Sequence, residues 1–260
     1  MGDEIVRTEG KTKVVFSFGR FQPPTIGHRE LIQGLEKLAT DSDADGIVFV
    51  SMKQNDKAKY IASKKGKEII AGAFETTDAN ENPLNVAVKL EVLRKQYPET
   101  ALKFHAGHTI FSIVDRLRSA GYTDLKMAVG SDRVETFKKL LGSGSRKANA
   151  RNKTPFSPIE VVPLGAPRNA AKLKGCTPGI REPFQMSGSQ MRCAAVEGRL
   201  DDFSVGVKIG GMTDTDVKIL MNTIRTELGY AAVASGGKRR STRRFSPRRS
   251  MTRRRRKSQK

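Results

Sequence analysis

Gly19-Arg20-Phe21-Gln22-Pro23-Pro24-Thr25-Ile26-Gly27-His28 is the stretch from which the rest of the chain is read. It follows a β-branched and aromatic run at 12–18 (TKVVFSF) and precedes apolar residues at Leu31, Ile32, Leu35 and Leu38, which recur at helical spacing. The order is strand, tight loop, helix. Gly19 lets the backbone pass where a side chain would clash. Pro23 and Pro24 stiffen the loop and hold back the helix. The helix opens near Gly27 and His28, with unpaired N–H groups and the positive end of its dipole. Such a terminus receives phosphate without further machinery, and Arg20 and His28 add side-chain donors beside it. The loop reads as a holder of polyphosphate against a histidine.

Working outward, the apolar run at 47–50 (IVFV) suits a buried parallel strand. Shorter or similar runs follow at 102–105, at 124–130 (DLKMAVG) and at 158–164 (PIEVVPL). Helical patterns lie between them. After an irregular, lysine-rich stretch at 52–82, Pro83 reads as the first residue of a helix that carries Val86, Lys89, Leu90, Val92 and Leu93 towards Tyr97. Residues 109–120 read as a helix closed by Gly121. Gly130 leads into Ser131-Asp132-Arg133-Val134, with the next helix capped at Ser131 or Asp132. Ligands in open α/β sheets bind at strand carboxyl ends, so Gly130, Asp132 and Arg133 are candidates to meet a base, a ribose or an acceptor. Capping and a surface ion pair account for Asp132 and Arg133 equally well. Residues 142–153 and 165–183 read as loops, the second long enough to serve as a lid or binding segment. His105 and His108 have no Cys, Asp or Glu at ligand spacing, and no metal site is read from them.

The second informative stretch is Met186-Ser187-Gly188-Ser189-Gln190-Met191-Arg192, followed by the apolar Cys193, Ala194, Ala195 and Val196. A hydroxyl-rich helix start with an arginine in its first turns can give backbone N–H groups, two hydroxyls and a guanidinium to one phosphate group.

GRFQPPTIGH resembles the signature of the HIGH-motif nucleotidylyltransferases, the cytidylyltransferase-like superfamily. Their loop reads G-x-F-x-P-x-[HT]-x-G-H after the first strand of a Rossmann-like sheet. MSGSQMR resembles that superfamily's second motif, [IM]-S-[SG]-[ST]-x-[IM]-R, with Gly188 in place of the commoner Ser. The pattern V-G-S-D-R-V-x-x-F at 129–137, and an N-P-L segment before a helix with a lysine, are similar to tailed-phage and large-virus members. The resemblance spans about residues 12–228, by order of elements rather than continuous identity.

This resemblance implies a nucleotidyltransferase. An acceptor's phosphate attacks the α-phosphorus of ATP or CTP, and pyrophosphate leaves. It implies that His28 donates to the α- or β-phosphate oxygens, that Thr25 assists with its hydroxyl, and that Ser187, Ser189 and Arg192 hold the β- and γ-phosphates. Gly19, Arg20, Phe21 and Gly27 would shape the nucleotide loop, and Lys89 would reach the phosphates. Magnesium (Mg2+) would ride on the triphosphate with its waters, without a dedicated cage. GRFQP is similar to adenylyltransferases that make NAD from nicotinamide mononucleotide; cytidylyltransferases acting on phosphocholine or glycerol phosphate share the superfamily. Neither the base nor the acceptor is legible. A class I aminoacyl-tRNA synthetase shares the HIGH element, but the chain is short for one and SGSQMR lacks the lysines of a K-M-S-K-S loop.

The chain has 260 residues and a formal net charge of +21, and hydrophobic residues make up 37% of it, enough for a core. Residues 238–260 hold 13 Lys and Arg and no Asp or Glu, which leaves 35 basic and 27 acidic residues before them. The extreme charge therefore belongs to the tail. Its composition cannot bury a core and predicts a disordered, polyanion-binding segment. A nucleic-acid-binding accessory protein, with a Rossmann-like domain kept as a nucleotide-binding module, is the alternative this tail supports. Cys176 and Cys193 make no disulfide framework and suit a reducing compartment. No stretch has the length of a membrane span and the N-terminus has no apolar signal core, so an intracellular protein, cytoplasmic or nuclear, is expected. Five apolar strands alternating with helices, without hairpin signals, predict a parallel α/β sheet. The expected organisation is one Rossmann-like catalytic domain over 1–230, then a linker and disordered tail over 231–260.

Overall fold

The computed structural model describes residues 4–55, 81–141, 159–165, 178–179, 182 and 186–233. Five strands, β1 (Lys13–Gly19), β2 (Asp45–Ser51), β3 (Lys103–Gly107), β4 (Asp124–Gly130) and β5 (Glu160–Leu164), form one sheet in the order β3-β2-β1-β4-β5. Every neighbouring pair is parallel, with Phe16 facing Ile47 on one side of β1 and Met127 on the other. The expected Rossmann-like α/β architecture is present. Between β1 and β4 the strand order reverses, and that is where such sheets bind ligands.

The central strands are apolar on both faces because both faces are covered. Side chains alternate along a strand, and here they alternate between two cores. Val14, Phe16, Ile47, Phe49 and Met127 pack against Ile113, Val114 and Leu117 of α3 (Ile110–Ser119). Val15, Val48, Val50 and Ala128 pack against Ile32 and Leu35 of α1 (Arg29–Asp41) and against Leu90 and Leu93 of α2 (Val86–Gln96). Helix α4 (Val134–Leu141) follows β4 and buries Leu141 in the first of these cores.

A third core joins α5 (Gly188–Val196), α6 (Leu200–Val207) and α7 (Asp214–Glu227). Met191, Phe203, Val217, Leu220 and Ile224 meet there, and Leu84 and Val92 tie the cluster back to α2. The buried Arg225 donates to the carbonyls of Ala195 and Ala231, both at 2.6 Å, and to that of Val196. A guanidinium at the last carbonyls of a helix satisfies groups the helix itself leaves unpaired. It thereby anchors the carboxyl end of α5.

Some boundaries depart from the sequence reading. β2 begins at Asp45, ahead of the apolar run at 47–50, and the Asp45 carboxylate is held there by Thr8 and Tyr122. Asn85, not Pro83, starts α2: its side chain accepts from Val88 N at 2.9 Å. Ser131 and Asp132 do not cap α4; they lie with Arg133 in a short 3-10 turn ahead of it. Cys193 is buried and disulfide-bonded, which runs against the reducing compartment expected from the sequence. The chain's other cysteine, Cys176, lies outside the described residues, as do the loop at 142–153, most of 165–183 and the tail at 234–260. Among the described residues no helix is long and apolar enough to cross a membrane.

Candidate active site

A cavity of about 400 Å3 opens at the carboxyl ends of β1 and β4, between the glycine-rich loop and the start of α5. Its volume lies in the range usual for small-molecule sites, roughly 300–1,000 Å3. Gly19, Arg20, Phe21, Gly27 and His28 line it from the first motif, and Ser187, Ser189 and Arg192 line it from the second. Gly130, Asp132 and Arg133 line it from the end of β4. Two motifs more than 150 residues apart in the chain thus meet across one space. They meet because the β1 loop and the α5 terminus both stand at the reversal point of the sheet.

The loop has an unusual backbone for a reason visible in its packing. Phe21 sits in the left-handed region, at φ 48, which for a non-glycine residue costs roughly 1–2 kcal/mol. In return its ring is buried and lies 4.8 Å from the His28 ring, tilted by 42°. That ring also explains Gly19. A Cβ there would stand 2.7 Å from Phe21 Cε2, so the glycine is demanded by close approach rather than by its own φ. Residues 26–28 form one 3-10 turn that leads into α1.

His28 is oriented by Thr25. The backbone N–H of Thr25 donates to His28 Nδ1 at 3.0 Å, and Thr25 Oγ1 lies 3.0 Å from the same nitrogen. A backbone N–H can only donate, so Nδ1 is the acceptor and the ring proton of the neutral imidazole sits on Nε2. His28 is thereby set up as a hydrogen-bond donor through Nε2. Thr25 itself is fully buried and does not line the cavity. Its place in the structure is behind the histidine.

On the opposite wall, Ser187 caps α5, its Oγ accepting from Gln190 N at 3.3 Å. The cap uses the oxygen and leaves the O–H proton for another acceptor. Arg192, only 3% exposed, donates through Nη1 to the carbonyl of Gln22 and through Nη2 to Ser189 Oγ at 3.3 Å. A Cβ on Gly188 would come within 2.5 Å of that same Gln22 carbonyl. Any side chain at this position would collide with it, which accounts for the glycine.

Lys89 stands apart from the others. It is fully buried in α2, its ammonium donates to the carbonyl of Ser51 at the end of β2, and it is not among the cavity-lining residues. Ser51 does line the cavity, so Lys89 lies one residue behind the wall. Burial pushes its pKa down to about 8, because an ammonium is costly to desolvate. Asp132 and Arg133 form an exposed ion pair at 3.4 Å on the rim. Sequence reasoning missed Gln22 and Glu30. Glu30 borders the cavity, and in the sequence it reads only as an acidic residue in the first turn of a helix. Gln22 could have been noticed as a long polar residue between apolar and proline neighbours.

Among the described residues no group of three His, Cys, Asp or Glu is gathered as a metal cage. The cavity's carboxylates are Glu30 and Asp132, amid hydroxyls and cations. This donor set fits a magnesium ion carried by a polyphosphate with most of its waters.

No protein-family profile matches the chain, and no curated protein matches it. Among solved structures, a Vibrio parahaemolyticus protein described as a nicotinate-nucleotide adenylyltransferase is similar at 15% identity. The match covers 81% of this chain and 99% of that one, with a TM-score of 0.43. A likeness of that strength carries no inference, and the fold assignment rests on the sheet order itself.

Proposed function

We propose that the protein is a nucleotidyltransferase that moves a nucleoside monophosphate from ATP or CTP onto the phosphate of a small-molecule acceptor. One observation carries this reading: His28, with its proton on Nε2, and Arg192, with Ser187 and Ser189, face one cavity at the sheet's reversal point. An oxygen of the acceptor phosphate bonds to the α-phosphorus. The bond from that phosphorus to the bridging oxygen breaks, and pyrophosphate departs with the electron pair. No group on the protein needs to change its covalent state. Such chemistry asks for alignment and for charge stabilisation as it develops.

In this mechanism His28 donates from Nε2 to a phosphate oxygen near the α-phosphorus, and Thr25 holds it in that tautomer. Ser187, Ser189, the positive amino end of α5 and the Arg192 guanidinium receive the β- and γ-phosphates. Gly19, Arg20, Phe21 and Gly27 shape the nucleotide side. Asp132, Arg133 and Gly130 border the region left for base, ribose or acceptor. Lys89 adds positive potential from behind the wall. Magnesium on the triphosphate would neutralise part of its charge, with Asp132 and Glu30 within the same cavity to hold its waters.

The test is pyrophosphate release with magnesium, pairing ATP or CTP with nicotinamide mononucleotide, phosphocholine, glycerol 3-phosphate or phosphopantetheine. Release with one pair, accompanied by the coupled product, supports the reading and names the substrate. Nucleotide binding with no release from any pair turns attention to the basic tail. The 13 cations of 238–260 favour a second reading, polyanion binding by that segment. Its signature is steep loss of nucleic-acid affinity with rising salt as counterions are released.

A further inference from the structure

We infer that Gln22 is a positioning residue that sets where the Arg192 guanidinium points, an inference that rests on the proposed phosphate site. Gln22 is 4% exposed and sits in the middle of the first motif. Its side-chain amide pairs with one backbone residue twice over. Leu84 N donates to Gln22 Oε1 at 2.9 Å, and Gln22 Nε2 donates to Leu84 O at 2.7 Å. Leu84 is fully buried and belongs to the core of α5–α7. The side chain therefore replaces a strand partner for Leu84 and fixes the loop to the body of the protein.

The consequence lies on the other side of the same residue. The Gln22 main-chain carbonyl accepts from Arg192 Nη1. Arginine has five donors in a rigid planar fork and no acceptor, so fixing one N–H direction fixes the plane. Ser189 Oγ takes a second direction, from Nη2 at 3.3 Å. Two anchors on one planar group leave its remaining donors with a set orientation. Gly188 shows that the carbonyl's place is closely fitted, since a Cβ there would come to 2.5 Å from it. Gln22 thus links the first motif to the second: its side chain holds the loop, and its carbonyl aims the arginine. A group misplaced by about 1 Å in such a site costs a large factor in rate.

Pyrophosphate affinity, measured by titration calorimetry on the full chain, reads this without knowing the acceptor. Arg192→Ala should weaken pyrophosphate binding; if it does not, the phosphate-site reading fails. Gln22→Ala should weaken it by roughly tenfold or more in the Arg192 background, the loss of one well-placed charged hydrogen bond. In the Arg192→Ala background the same substitution should add almost nothing. An equal loss in both backgrounds, or no loss in either, overturns the role of Gln22 while leaving the site intact. Should Gln22→Ala fold poorly, Gly188→Ala disturbs the same carbonyl from the opposite side without touching the Leu84 pair. It should give the same non-additive pattern, and an additive one overturns the inference.

Discussion

The two ends of the sheet each carry a polar cluster, and they use it differently. At the amino end, Asp45 is the buried first residue of β2 and its oxygens accept from Thr8 N at 2.9 Å, from Thr8 Oγ1 at 2.5 Å and from Tyr122 OH at 2.5 Å. The Lys103 ammonium stands 3.4 Å away. Burial by itself raises Asp45's pKa, but the Thr8 and Tyr122 hydrogen bonds and Lys103 outweigh it and hold the carboxyl below its ordinary range. At the carboxyl end, the polar groups line one cavity. His28 accepts on Nδ1, which leaves its ring proton on Nε2, and Ser187 caps a helix with its oxygen and keeps its proton. Similar residue types make a closed cluster where they satisfy one another in the interior, and a polar cavity wall where they are gathered around an open space.

This contrast is broken most directly by substitutions that ought to separate activity from stability. His28→Ala should lower turnover by about a hundredfold or more, the usual loss of one donor aimed at developing charge. Its melting temperature should stay close to wild type, since Phe21 and not His28 fills the core there. Lys89→Met comes next. The lysine's folded pKa is depressed, so the unfolded chain binds more protons between pH 8 and 10.5, and wild-type stability should rise with pH through that window. Below it, the buried ammonium costs roughly 3 kcal/mol. The methionine variant should recover part of this at pH 7, and its stability should not change through that window. Denaturant unfolding at pH 7 and pH 10 checks both, and a parallel fall in turnover would mark Lys89 as functional.

At the amino end the opposite pattern is predicted. Tyr122→Phe should leave turnover unchanged and cost about 1–3 kcal/mol at neutral pH, because a buried carboxylate loses a donor. Asp45's folded pKa is lowered, so its stabilisation is present above the ordinary carboxylate value and fades as pH falls through the folded one. With Tyr122 gone the folded value rises, and acid unfolding should begin at a higher pH. The smallest effect belongs to Asn85→Ala, which removes the cap of α2 and should cost about 1 kcal/mol. Thermal scans rank these two.

The fold was legible because its signals are local. Continuous apolar runs mark buried parallel strands, and the residues at 124–130 read from the sequence are those of β4. Gly121, at φ 88, closes α3 as its composition suggested. The candidate site was legible as a meeting of two motifs, since His28 and Arg192 do line one cavity. What depended on distant neighbours was not. Nothing local distinguishes Asp45 as a buried strand residue, because Thr8 and Tyr122 come from far along the chain. Nor does anything local show that Thr25 works through His28's other nitrogen, that Gln22 pairs with Leu84, or that Lys89 lies behind the cavity wall. These follow from packing, which a periodic pattern does not record.

The most direct test of the central claim is the rate of pyrophosphate release in wild type and in His28→Ala, with the productive nucleotide and acceptor, alongside their melting temperatures. The account predicts a loss of about a hundredfold or more in the variant with little change in melting temperature. A variant that releases pyrophosphate at the wild-type rate would contradict it, and the cavity at the reversal point would then not be where the reaction happens.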